Sequence, residues 1–452
     1  MNIFVNVGRT LRQWFGEGVF RRIFKNAGLM LSGRAATGLL SLGTLSVSAR
    51  SLGVEQFGIL VLVQTYAQVI ASLSTFQSPQ AVIRYGATTL ENNDTPGFQS
   101  LLKFVTGLDF IGGVVAVIVG FLAAPIVGPH LGWNDDVIRY AQFYSFLVFF
   151  TACATPTGIL RLFDRFDVLA MQTTVTPLLR LVGVSIAALL DAPLWGYLLA
   201  WFFAQVVGGA SLTYLAWRES YKRGRLKGID AAFKNLAARH DGIWSFLIQS
   251  NLYSSILIVA NQLSIILIGN LASPAAAGIY KIGRDASTVL SKPAELLNQS
   301  VYPEFARFGS KGAWEEFGRL IRRGAAIAAG AGAFMLTLAV LFGAPFLQLA
   351  FGADFGAAYV PLVLLVAAAC LTIVGFPMDA ALFAMGRASI PLRIGITVVF
   401  LVQLPLLWLL TKNFGADGAG FAMLAASAAT VTAMTFFTWR TLRRNTTVLV
   451  PA

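Results

Sequence analysis

Charge is what this sequence has least of. Lys, Arg, Asp and Glu make up 12% of its 452 residues, about half the share in ordinary soluble domains. With 56% apolar residues and a mean hydropathy of +0.70, that scarcity excludes a soluble globular protein and a disordered chain. The two cysteines, Cys153 and Cys370, each lie inside an apolar run, which argues against a disulfide framework. The two histidines, His130 and His240, fall on opposite sides of the membrane in the topology below, so no Cys/His metal centre is expected. Walker A, GxSxG and HExxH sequences are absent, which removes P-loop ATP hydrolysis and two common hydrolase chemistries. No catalytic residue and no metal site are expected. The chain reads as a transporter rather than an enzyme.

What it has in abundance is apolar sequence in runs long enough to span a bilayer, for which about 20 residues suffice. Twelve runs qualify: 27–49, 55–83, 99–127, 137–158, 168–190, 194–217, 243–270, 275–303, 322–349, 357–383, 389–411 and 416–439. The fold class expected is therefore all-α integral membrane, with twelve transmembrane helices. Residues 1–26 mix Arg9, Arg12, Arg21, Arg22 and Lys25 with Phe and Trp. That mixture fits a segment lying at the lipid surface or a basic tail.

The net charge is +13. In a soluble protein this would point to nucleic acid; here the basic residues are scattered over short loops, so no nucleic-acid partner is expected. With the N-terminus inside, the inner segments and their flanks hold 26 Lys/Arg and the outer loops only Arg50, Arg139 and Lys412. The positive-inside rule then places both termini in the cytoplasm.

The chain also echoes itself. FLAAP at 121–125 returns as LFGAP at 341–345, and TYLAWR at 213–218 returns as TFFTWR at 435–440. FG at 57–58 matches AG at 277–278, and RYG at 84–86 matches RFG at 307–309. All four offsets are close to 220. The expected organisation is an N-lobe at 27–217, a basic cytoplasmic linker at 218–242, a C-lobe at 243–440 and a tail at 441–452. Six spans per half is an even number, so the halves insert in the same orientation, as parallel repeats around a central cavity.

Ionisable residues inside spans mark cavities or pairs. The eighth span carries Lys281, Asp285, Thr288, Lys292, Glu295, Gln299 and Tyr302 at steps of three and four, a single polar stripe on one helical face. Lys281 with Asp285, and Lys292 with Glu295, have the spacing of intrahelical ion pairs. Pairing and cavity lining are both open for these four. Arg284 has no evident partner on its own helix. Shifting by the repeat places Gln64 on Arg284, Thr65 on Asp285 and Gln68 on Thr288, so the second span has a neutral version of the same face. Arg34 and Arg180 sit deep in the first and fifth spans, with Asp109 and Asp379 as candidate partners. Five cations (Arg34, Arg180, Lys281, Arg284, Lys292) against Asp109, Asp285, Glu295 and Asp379 leave a cationic interior suited to a phosphate or diphosphate. The acids are candidates for tuning those cations or for carrying a coupling H+ or Na+. No organic cofactor is expected.

Segment 33–86, above all ARSLGVEQFGIL between the first two spans, resembles the N-terminal signature of Wzx-type polysaccharide flippases. GRAS at 386–389 is similar as well. These proteins belong to the multidrug/oligosaccharidyl-lipid/polysaccharide (MOP) exporter superfamily, whose multidrug branch shares the 6+6 plan. The resemblance implies translocation of an undecaprenyl-diphosphate-linked repeat unit across a bacterial inner membrane by alternating access. It implies membrane lipids and a polysaccharide polymerase or ligase as neighbours, in O-antigen, capsule or exopolysaccharide synthesis. An ion-coupled exporter of drugs or metabolites on the same fold is the alternative reading.

Overall fold

A computed structural model describes residues 18–226, 242–289 and 314–447, apart from positions 75, 153, 386 and 388. Among the described residues there are helices and no strands. In chain order they are α1 (Gly18–Ser74), α2 (Ser78–Glu91), α3 (Thr95–His130), α4 (Asp135–Ala152), α5 (Thr155–Leu162), α6 (Phe166–Leu189), α7 (Leu194–Lys222) and α8 (Ile243–Leu271). A helix over 274–289 is α9. Then come α10 (Trp314–Phe351), a 3-10 turn (Ala353–Ala358), α11 (Tyr359–Ala384), α12 (Ser389–Val398), a π turn (Val399–Gln403) and α13 (Leu404–Thr447).

Eight described stretches are long and apolar enough to cross a membrane, and they cover the positions expected for every span but the seventh and eighth. Two of the stretches hold two expected spans each, broken at a glycine with non-helical torsions: Gly53 (φ 71°) in α1 and Gly415 (φ 56°) in α13. The backbone there is left-handed, a region glycine enters without a Cβ penalty. Short polar residues open other helices. Asn134 Oδ1 accepts from the Val137 amide at 3.0 Å, and Asp94 Oδ1 from the Gly97 amide at 2.8 Å, which satisfies donors left over at a helix start. Large apolar side chains such as Ile111, Ile126 and Leu349 are more than 60% exposed. On a soluble protein that would be an aggregation surface; on these helices it is the lipid face.

The chain forms two compact units. One holds the described residues within Met1–Val47, Ala67–Ile126 and Ile138–Ile256. Its core joins Val82 of α2, Phe98 and Leu102 of α3, Ile159 of α5, Leu169 of α6 and Leu247 of α8. The other holds Ser48–Tyr66, Val127–Val137 and the described residues of Leu257–Ala452, with a core around Phe317, Ile321, Leu382 and Ile394.

In the first unit α2 and α5 are half-length helices. Asp109, in the middle of α3, holds both of their starts. The residue is 2% exposed, and its carboxylate accepts four hydrogen bonds: from Ser78 Oγ (2.5 Å), Thr155 Oγ1 (2.7 Å), and the amides of Thr155 (2.8 Å) and Ala154 (3.0 Å). A carboxylate against helix N-termini is favoured by the partial positive charge there. Broken helices are tolerated at membrane depth when the freed backbone groups are satisfied in this way.

In the second unit a close helix crossing brings Gly58 and Gly278 together. A Cβ on Gly58 would overlap the Pro274 carbonyl, and one on Gly278 would lie 3.0 Å from Phe57 Cδ1 and 3.1 Å from Gly58 Cα. Gly58 and Gly278 are the pair that the repeat equates. Contact between equivalent residues is what a two-fold axis passing beside them requires. Around this crossing Phe57 meets Phe355 edge to face at 5.6 Å. Arg50 donates Nε to the Ala350 carbonyl at 3.1 Å and Nη2 to the Leu349 carbonyl, satisfying acceptors at the end of α10.

Two outcomes follow from this packing. Gly58→Ala should cost about 1–3 kcal/mol by overpacking, read as a lower melting temperature of the purified protein, whereas Ala at Gly107, where a Cβ meets nothing within 4 Å, should leave it unchanged. Asp109→Ala, which strands the donors of Ser78, Ala154 and Thr155, should cost roughly 2–4 kcal/mol in the same assay; an unchanged melting temperature would show that those donors do not depend on the carboxylate.

Candidate functional site: charges inside the spans

The residues singled out from sequence fall into different settings. Arg180, Asp109 and Gln68 belong to the first unit; Gln64, Lys281, Arg284, Asp285 and Asp379 belong to the second. Lys292 and Glu295 lie outside the described residues, as does the side chain of Arg34 on α1.

On α9 the expected pair is formed. Lys281 Nζ reaches both carboxylate oxygens of Asp285 at 2.7 Å, with about a quarter of each side chain exposed. The i,i+4 spacing brings the two groups together without help from another helix. Arg284 is half-buried between them on the same helix. Gly283 faces α11, where a Cβ would meet the Leu362 amide at 3.1 Å, so the opposite face of α9 is the packed one. On α1, Gln64 is buried and Gln68, one turn on, is exposed. The neutral stripe is therefore only partly open. Thr65 is spent on its own helix, donating to the Val61 carbonyl at 2.7 Å.

Arg180 and Asp109 are not each other's partners, which corrects the pairing considered from sequence. Asp109 already accepts its four hydrogen bonds. Arg180, on α6, turns instead to α7: Nη2 donates to Gln205 Oε1 at 3.3 Å, and the guanidinium carbon lies 4.6 Å from the centre of the Trp201 ring. Trp201 and Gln205 are one turn apart, so both reach the same point on α6. Tyr144 of α4 stands behind them, fully buried, its hydroxyl donating to the Leu198 carbonyl at 3.1 Å. No carboxylate comes within ion-pair distance of Arg180 among the described residues. Nothing in the sequence spacing marks Tyr144, Trp201 or Gln205 as its neighbours, since each lies on a different turn or a different helix.

Asp379, on α11 beyond Pro377, has a buried Oδ1 without a hydrogen-bond partner. No group of three or more metal-ligating side chains occurs among the described residues.

At the end of α7 the inner cations expected from topology are partly committed. Glu219 takes Arg165 Nη1 at 2.6 Å and Arg223 Nε at 3.0 Å. Arg225 reaches Thr95 Oγ1 at 3.3 Å. These contacts tie α7 to the starts of α6 and α3.

Residues 23–308 match the family described as polysaccharide biosynthesis protein. The curated inner membrane protein YghQ of Escherichia coli (strain K12) is 35% identical over 359 residues, covering 78% of this chain and 99% of that one. Among solved structures, an inward-facing multidrug resistance MATE family transporter of the MOP superfamily superposes with a TM-score of 0.70 at 14% identity, over 93% of this chain and 96% of the other. The lipid II flippase MurJ in an inward closed conformation gives 0.64 at 11%, over 92% and 89%. These two likenesses establish the fold. The segment 33–86, which carries the Wzx-type resemblance, lies inside the matched residues. The chain is thus a multi-pass inner-membrane protein on the MOP transporter fold, and it belongs to the polysaccharide biosynthesis protein family.

Proposed function

We propose that the protein is a flippase that carries undecaprenyl-diphosphate-linked oligosaccharide repeat units from the inner to the outer leaflet, for the synthesis of a surface polysaccharide. The observation that carries this reading is how the charges within the spans are answered. Asp109 is committed to helix starts and Asp285 to Lys281, while Arg180 has neutral partners only. A buried guanidinium with no carboxylate beside it suits an anionic diphosphate head group and repels a cationic drug. Arg34, Arg284 and Lys292 complete the set of cations assigned to the substrate. The lipid tail stays in the bilayer while the two repeats rock around the head group. Both termini face the cytoplasm in this reading, and a polymerase or ligase takes the product on the far side.

An ion-coupled exporter of the same fold is the second reading, and Asp379 favours it: an acid with an unpartnered oxygen is where a coupling H+ or Na+ would sit. The same residue fits a coupled flippase.

Deletion of the gene in its native host, with redundant flippases removed, decides between them. Repeat units accumulating on the cytoplasmic leaflet, together with lost surface polymer, are the expected result. Normal polymer with increased drug sensitivity would transfer the assignment to the exporter. Complementation with Arg34, Arg284 and Lys292 changed together to Ala should fail to restore surface polymer while the protein remains in the membrane; full restoration would sink the assignment of these cations.

A further inference from the structure

The Arg180 cluster is short of acceptors. Arg180 offers five N–H groups in a fixed fork, and an indole nitrogen can only donate. Arg180 Nε and Trp201 Nε1 are both buried and both lack a hydrogen-bond partner. Trp201 is 2% exposed. Gln205 Oε1 accepts from Arg180 Nη2 and the Tyr144 hydroxyl donates to the Leu198 carbonyl, and neither oxygen accepts from Arg180 Nε or Trp201 Nε1. Two orphan donors therefore belong to two residues in contact, beside an unneutralised positive charge. A buried donor left without a partner is destabilising, and a buried guanidinium more so. Water would accept from both donors but leave the positive charge unanswered. An anion accepts from both and neutralises the charge.

We propose that Arg180 and Trp201 form an anion-binding site inside the first unit, between α6 and α7, which takes a halide or a single phosphate oxygen. Arg180 supplies Nε–H and the charge, Trp201 supplies Nε1–H, and Gln205 fixes the far side of the guanidinium. The ligand chemistry is a compact anion, drawn either from solution or from the diphosphate of a lipid. The lipid arm rests on the flippase reading; the inorganic arm does not.

The test uses the full-length protein in nanodiscs with gluconate as the background anion. Chloride or inorganic phosphate, exchanged for gluconate at constant ionic strength, should raise the melting temperature along a saturating curve. Trp201→Phe keeps the ring and removes one donor; it should weaken the apparent affinity roughly tenfold or more. Gln205→Glu places a carboxylate on the guanidinium; it should melt in gluconate no lower than the wild type and lose the anion response. A wild-type melting temperature indifferent to the anion would overturn the proposal, as would an unchanged response in Gln205→Glu. That second variant decides the matter if Trp201→Phe does not fold. Undecaprenyl diphosphate added to the nanodisc distinguishes the sources. Competition with chloride assigns the site to the lipid head group, and independence assigns it to free anion, which holds even if gene deletion leaves surface polymer intact.

Discussion

A charge inside hydrocarbon has to be answered by the protein, because no water is there to do it. The architecture of the first unit is organised around that demand. Asp109 is answered by two helix starts, and those starts exist because the chain breaks α1 from α2 and α4 from α5 beside it. The breaks would themselves be costly, since each frees backbone donors; the carboxylate takes up those donors. Neither the acid nor the breaks make sense alone. Arg180 is answered differently, by an aromatic face and an amide oxygen, and that answer is incomplete.

The second unit depends on a different constraint. Apolar side chains gain little by meeting one another in lipid, so helices associate through close approach of their backbones at small residues. Gly58 against Pro274 and Gly278 is such an approach. The residues 48–66 and 127–137, which come from the first half of the sequence, are packed in this unit with the second half. Phe57 on Phe355 and Arg50 on the last carbonyls of α10 extend the same contact. The division into units consequently does not follow the midpoint of the chain, although the sequence repeat does.

Function on this fold resides in which residues line the interior rather than in the fold itself. Multidrug and lipid-linked-substrate transporters share the plan. Lys281 is neutralised by Asp285 at one turn's distance, whereas Arg180 keeps its charge.

The membrane setting and the positions of most spans were legible in the sequence, because hydropathy is a local quantity that no tertiary contact alters. The Lys281–Asp285 pair was legible for the same reason, both partners being on one helix four residues apart. The partners of Asp109 and Arg180 were not. Ser78 and Thr155 stand 31 and 46 residues from Asp109, and Gln205 stands 25 from Arg180. Helical spacing says nothing about which neighbouring helix a side chain meets. Charge balance alone pairs Arg180 with an acid. The tertiary structure assigned the acid to helix starts and left the guanidinium among neutral donors, because a carboxylate is better satisfied by four converging donors than by one distant cation.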